Sequence, residues 1–295
     1  MPAPLIIEAA LNGVTTPERN AAAPRDPESM VRDALACLDA GAAIVHTHSD
    51  TPLAPPDAAA ARYLEAYRPI VDARPDALLY PTVGAGPGGV EAKLGHQRVL
   101  ANEGVIRCGI LDPGSVNLGA VAEDGWPIPM DYVYTNTPNE IRAMAALCRE
   151  HRLGPSVAIF EPGFLRVILG AHAAGALPPG TLVKLYFSLG GFLGSGPPIF
   201  SAPPIAEALE MYLAMLEGTG LPWAVAVLGG DVFETPVAKL AVERGGHLRV
   251  GLEDDPEAES NRVAVQRAGE LAAAHGREVA APTAAAELIG LPDRG

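Results

Sequence analysis

Strand-length apolar runs and longer segments with helical spacing alternate along the chain. Leu5 to Leu11 is a short apolar run broken at Asn12-Gly13. Pro27 to Ala40 then places Met30, Val31, Ala34, Leu35 and Leu38 at helical spacing before Gly41 stops the helix. Ala43 to His48 predicts a second strand and Pro56 to Ala73 a second helix; Ala77 to Thr82 and Val90 to Glu103 repeat the pair, as do Val105 to Leu111 and Pro138 to Arg152. The series continues through Ser156 to Phe160, Gly163 to Ala176, Thr181 to Phe187 and Pro204 to Glu217. It closes with Trp223 to Leu228, Thr235 to Arg244, His247 to Leu252 and Ser260 to His275. Strict alternation of eight strands with eight helices predicts an α/β fold, a single (β/α)8 (TIM) barrel over 1–295. Residues after about Pro282 form a short helical extension, packed on the barrel or on a neighbouring subunit.

A doubly wound open sheet would carry a Gly-x-Gly-x-x-Gly turn after its first strand, and none stands there. The segment Gly84-Ala85-Gly86-Pro87-Gly88-Gly89 follows the third strand instead and has a proline inside it, which suits an ordinary strand-to-helix loop. Composition narrows function further. Lys+Arg 21 against Asp+Glu 35 gives a net charge of -14, which disfavours broad contact with nucleic-acid phosphates. The three cysteines include no C-x-x-C pair, so neither a disulfide framework nor a thiolate metal site is expected; Cys37 and Cys148 fall in helical patterns as core fillers. With no signal-like start and no apolar run near the ~20 residues of a membrane span, the chain reads as cytoplasmic and soluble.

In such a barrel the chemistry lies at the carboxyl ends of the strands. His46 and His48 pass this filter on strand two, and residues i and i+2 of a strand share a face, so both imidazoles can point to one spot as metal ligands, the other reading being one solvated histidine and one packed in the core. Strands two and eight flank strand one, which makes Glu253 the natural third ligand of a zinc site with an open position. Taken alone, Glu253-Asp254-Asp255 would also suit a solvated acidic loop. Arg249 either anchors a substrate carboxylate, holds a neighbouring acid ionised, or makes a structural ion pair. Thr82, Asp112, Ser115, Asn117, Glu161 and Ser188 also stand at strand ends, with Gly84 opening the loop after strand three. Glu161 orients a neighbour or caps the fifth helix. Glu8, inside strand one, needs a partner when buried; it orients a ligand or serves structural hydrogen bonding. Lys184 is mid-strand and suits pairing with a buried acid, and His247, at the far end of strand eight, is structural.

Three motifs taken together, His46-x-His48, Leu111-Asp112-Pro113-Gly114-Ser115-Val116-Asn117-Leu118-Gly119 and Gly245-Gly246-His247-Leu248-Arg249-Val250-Gly251-Leu252-Glu253-Asp254, resemble the β-keto acid cleavage enzymes. Trp223-Ala224-Val225-Ala226 and Glu259-Ser260-Asn261 add to a similarity running from Leu5 to about Leu291. The resemblance implies a zinc-dependent (β/α)8 barrel, usually a homotetramer, that converts a β-keto acid and acetyl-CoA into acetoacetate and a new acyl-CoA. It implies zinc (Zn2+) on His46, His48 and Glu253, with Asp254 as catalytic acid/base. It makes Arg249 the electrostatic partner of Asp254 and puts Thr82 where relatives often have a substrate-contacting serine. Thr15 occupies the position where amino-substrate members carry an acid, which favours a neutral or weakly polar β-keto acid unless Glu8 reaches the pocket instead. Glu8, Thr15, Gly84, Asp112, Ser115 and Glu161 are thus the candidate substrate contacts. A metal-dependent aldolase or hydrolase, or a non-catalytic metal- or metabolite-binding barrel, remains an alternative on the same scaffold.

Overall fold

Period-two alternation sorts each strand of the computed structural model into an outer row that meets helices and an inner row that meets other strands. The structure describes residues 2–85, 89–190 and 196–293, so Gly86, Pro87 and Gly88 of the glycine-rich segment lie outside the described residues. The strands are β1 (Ile7–Ala10), β2 (Ile44–Thr47), β3 (Leu78–Pro81), β4 (Cys108–Leu111), β5 (Gly154–Ile159), β6 (Leu182–Ser188), β7 (Trp223–Leu228) and β8 (His247–Val250). All pair in parallel, in the order β3-β2-β1-β8-β7-β6-β5-β4. Across the seam between β3 and β4 the Arg107 N–H donates to the Leu79 carbonyl at 3.1 Å. A (β/α)8 barrel results.

The surrounding helices are α1 (Pro27–Ala40), α2 (Pro56–Ala73), α3 (Gly89–Asn102), α4 (Pro138–Glu150), α5 (Pro162–Ala173), α6 (Ala206–Leu216), α7 (Pro236–Glu243) and α8 (Asn261–Ala274). Their starts are written locally. Pro27, Pro56, Pro138, Pro162 and Pro236 each occupy a first helical position, where a missing N–H costs nothing. Asp26 caps α1, Ser260 caps α8, and Thr137 with Glu140 forms a reciprocal capping box on α4. No described helix is long and apolar enough to cross a membrane.

Outward residues such as Leu5, Ile7, Leu11, Val45 and Leu79 join the helices in the main core, which also takes Cys37 and Cys148. Inward residues Ile6, Ile44, Leu78, Leu182 and Ala224 fill the amino-terminal end of the barrel, where α9 (Pro282–Ile289) plugs it with Ala285 and Ile289. The extension therefore packs on its own barrel. Arg277, just before it, donates to the carbonyls of Ala3, Pro4, Val242 and Gly246 at 2.7 to 3.2 Å and seals the same end. His247 also works there, its Nδ1 accepting from the Ile6 N–H at 3.0 Å; burial holds its pKa down at about 3, so the ring is a neutral structural acceptor.

At the other end Asn261 ties three segments together. Its amide donates to the Leu11 carbonyl and to Asp33, and its oxygen accepts from the Leu252 N–H. Burial raises the Asp33 carboxyl to about 6 against the lowering effect of the Asn261 bond. The folded pKa exceeds the unfolded one, so this group's contribution to stability is present below about pH 4 and is lost as pH rises through 6. Asp33→Asn should accordingly raise stability at pH 7 by about 1–2 kcal/mol, after discounting for partial exposure, and change little at pH 4. Urea titrations at both pH values check this; equal effects at the two would remove Asp33 as the cause.

Candidate active site

β2 ends where Asn12 holds it. The Asn12 side chain accepts from the His48 N–H at 2.8 Å and donates to the His48 carbonyl at 2.9 Å, fixing the chain direction after His46. Gly13 follows in a left-handed conformation (φ +49°), and any Cβ there would collide with the Glu253 side chain. On the far side of β1, β8 stops at Gly251 (φ +138°), whose missing Cβ leaves room for the Ala10 carbonyl and Asn261. The N–H groups of Asp254 and Asp255 both turn back to the Gly251 carbonyl, and the Glu253 N–H donates to Ala10 at 3.1 Å. Two glycine turns thus bring Glu253 over β1 to the histidines.

There the Nε2 atoms of His46 and His48 lie 3.4 and 3.3 Å from the two Glu253 carboxylate oxygens. A ligand atom from each of the three residues falls within 4.8 Å of the others. The donor set fits a divalent ion by its chemistry. Burial outweighs the attraction of Glu253 and keeps His46 neutral, as a ligand must be. Burial alone would raise the Glu253 carboxyl, yet Arg249, then His48 and His46, hold it well below the usual carboxylate range. Glu253 Oε2 is buried with no hydrogen-bond partner, an oxygen that asks for a cation. His46 is oriented by stacking on Tyr80, ring centroids 4.4 Å apart.

Arg249 is the hub beneath. Fully buried, it donates to Glu8 at 2.8 Å and to Asp254 through Nε at 3.0 Å and Nη2 at 3.1 Å, and forms an ion pair with Glu253 at 2.8 Å. Of the open possibilities for Arg249, the structure shows a guanidinium that holds neighbouring acids. Glu8, Lys184 and the Tyr80 hydroxyl complete the network: Lys184 donates to Tyr80 at 2.6 Å and to Glu8 at 3.2 Å. Burial would raise Glu8, but Lys184 and Arg249 bring its pKa down to about 2. The Asp254 carboxyl, desolvated and beside Glu253, rises to about 6 despite Arg249.

A cavity of about 130 Å³ opens over this network, and His46, His48, Glu253, Thr82, Asp112 and Arg249 all line it. Several expected contacts lie elsewhere. Thr15 donates its hydroxyl to the Leu252 carbonyl at 2.6 Å, pinning the β8 turn. Ser115 exchanges hydrogen bonds with the Asn136 backbone, and Glu161, at the start of α5, accepts from the Ser201 N–H at 3.0 Å instead of capping the helix. Gly84 gives its N–H to Lys93, and Glu8 sits behind Tyr80, Lys184 and Arg249. All five are spent on backbone or on the buried network. Asp254 borders a separate cavity of about 20 Å³, room for one water, with Arg249 between the two spaces.

Sequence reasoning missed Tyr80, Tyr134, Phe160 and Tyr186, all in the cavity wall. Tyr80 and Tyr186 stand two residues from Thr82 and Lys184 on the same strands, so period two would have marked them. Tyr134 carried no such signal: it arrives from the arm between β4 and α4, through a bridge to Val116, and gives its hydroxyl proton to Asp112.

Comparison with known proteins identifies relatives of the whole chain. A family model described as beta-keto acid cleavage enzyme matches residues 4–291. The 3-keto-5-aminohexanoate cleavage enzyme of Fusobacterium nucleatum subsp. nucleatum is 27% identical over 294 residues, covering 97% of this chain and 98% of that protein. The 3-oxoadipate:acetyl-CoA acetyltransferase of Cupriavidus necator is 28% identical over 306 residues, covering 99% and 96%. Among solved structures, apo ObcA superposes with a TM-score of 0.65 at 17% identity over 92% of this chain and 66% of that one, a likeness of fold.

Proposed function

From the premise that the chain belongs to the beta-keto acid cleavage enzyme family, we propose that it is a zinc-dependent enzyme converting a β-keto acid and acetyl-CoA into acetoacetate and an acyl-CoA. The observation that carries this is the convergence of His46, His48 and Glu253, with an unpartnered buried oxygen, on one wall of a cavity. Curated relatives whose names specify acetyl-CoA-dependent transfer support the co-substrate. His46, His48 and Glu253 would hold the ion, which when bound supplies Lewis-acid polarisation of the substrate's keto oxygen and makes the adjacent methylene more acidic.

The protein's own groups do the rest. Arg249 holds Glu253 and Asp254 in fixed relation through one planar fork, and Glu8 with Lys184 holds Arg249 from behind. Asp254, its carboxyl raised by burial to about 6, acts as the base that takes a methylene proton. The resulting carbon nucleophile bonds to the acetyl carbon as the thioester C–S bond breaks. The released thiolate then attacks the original ketone carbon, the older C–C bond breaks, and the proton returns from Asp254 to give acetoacetate. Thr82, on the cavity wall, offers its hydroxyl to the substrate. The working state is a cytoplasmic homotetramer, which light scattering on the purified protein would check.

Zinc-loaded protein given β-keto acids should release acetoacetate only when acetyl-CoA is present, with acyl-CoA appearing in equal amount by mass spectrometry. Removing the metal with a chelator should abolish both products. Cleavage without acetyl-CoA would instead mean an aldolase or hydrolase.

A further inference from the structure

The cavity wall opposite the candidate metal ligands comes from β4, β5 and β6. Its apolar positions are Ile110, Ala158, Phe160 and Tyr186, with Leu118 added from the β4 to α4 arm, and Ser156 and Lys184 face the same space from β5 and β6. Phe160 is partly exposed to the cavity, and its ring centroid lies 4.8 Å from that of Tyr186 and 6.1 Å from that of Phe200. Behind these rings Ala226 and Leu228 continue the same apolar cluster, while Lys184 and Arg249 flank the Tyr186 ring at 5.7 and 5.5 Å.

Charged side chains reach this space, but among the described residues each is already engaged. Lys184 is bonded to Glu8 and Tyr80, Arg249 to Glu8, Glu253 and Asp254, and Asp112 accepts from Tyr134. An incoming ammonium group would meet the fields of Lys184 and Arg249 and find only Asp112, whose carboxyl burial pushes toward its neutral form. An incoming carboxylate would compete with Glu8 and Tyr80 for the charge of the buried Lys184. An alkyl chain disturbs none of these pairs and buries its surface against the rings.

Resting on the reading of the site given above, we propose that the acyl group passed to CoA is short, apolar and uncharged, and that Phe160 and Tyr186 are the residues that select it. The enclosed space measures about 130 Å³, less than the roughly 150 Å³ cavity that admits benzene, which favours a short acyl group. Phe160 sets the limit. Its ring is partly exposed, and its removal opens the cavity toward Phe200.

Three β-keto acids of matched length, ending in methyl, ammonium and carboxylate, test this on the zinc-loaded protein with acetyl-CoA. The methyl acid should exceed both others in kcat/KM by on the order of 10²-fold. Phe160→Ala should shift the preferred chain to a longer one, with the methyl preference retained. Calorimetric binding of the three acids without acetyl-CoA separates this proposal from the reaction it rests on. Preferential binding of the methyl acid without turnover would sink the cleavage reaction and keep the apolar pocket. Turnover or binding that favours the ammonium or carboxylate acid would overturn the pocket and leave the reaction standing. An unchanged chain-length optimum in Phe160→Ala would remove Phe160 as the selecting residue.

Discussion

His46→Ala and His48→Ala are each expected to lose the bound metal and to drop turnover by on the order of 10³-fold or more, since Lewis-acid stabilisation of transition-state charge is worth several kcal/mol. The barrel should survive. Both histidines stand at the functional end, away from the apolar layers that join strands to helices and from the layer closed by α9. His46→Ala also removes the stacking partner of Tyr80, so it should cost more stability than His48→Ala, whose side chain is more exposed. Metal content by plasma mass spectrometry, read beside thermal melts followed by circular dichroism, gives both quantities. Wild-type metal occupancy in either variant would dismiss that residue as a ligand.

Asp254→Asn should keep the metal and lose 10²-fold or more in kcat, the usual contribution of a positioned general base. The amide preserves shape and an acceptor for Arg249, and Arg249 retains Glu8 and Glu253 as charged partners. Metal binding is therefore the control that separates loss of the base from collapse of the site. Because Asp254 borders its own small cavity and not the one lined by the histidines, near wild-type kcat in the variant would assign the proton to another group. Thr82, already on the larger cavity's wall, would not supply it without help, its hydroxyl being a weak base.

How far the candidate site could be read in advance depended on the range of the interaction involved. The pairing of His46 with His48 follows from strand geometry two residues long, and barrel topology alone brings β8 beside β1 and so Glu253 toward them. Lys184 needed an acid and found Glu8, as its mid-strand position required. Thr15, Ser115 and Glu161 carry equally suitable polar groups at strand ends or in the loops beyond them, yet all three are consumed by backbone atoms of distant segments. Nothing local distinguishes a hydroxyl that faces a cavity from one that ties down a turn.

The sequence by itself determined the alternation of strands and helices, the caps and prolines that start the helices, and the two faces of each strand, because these are properties of neighbours along the chain. Tertiary structure alone decided that Arg249 links Glu8, Glu253 and Asp254 in one fork, that Asp254 borders a space apart from the histidines, and that Tyr134 arrives to engage Asp112. The physical reason is that a buried polar group must be satisfied by whichever partner the closed barrel brings within about 3 Å, and that choice is made among residues more than a hundred positions apart as readily as among neighbours.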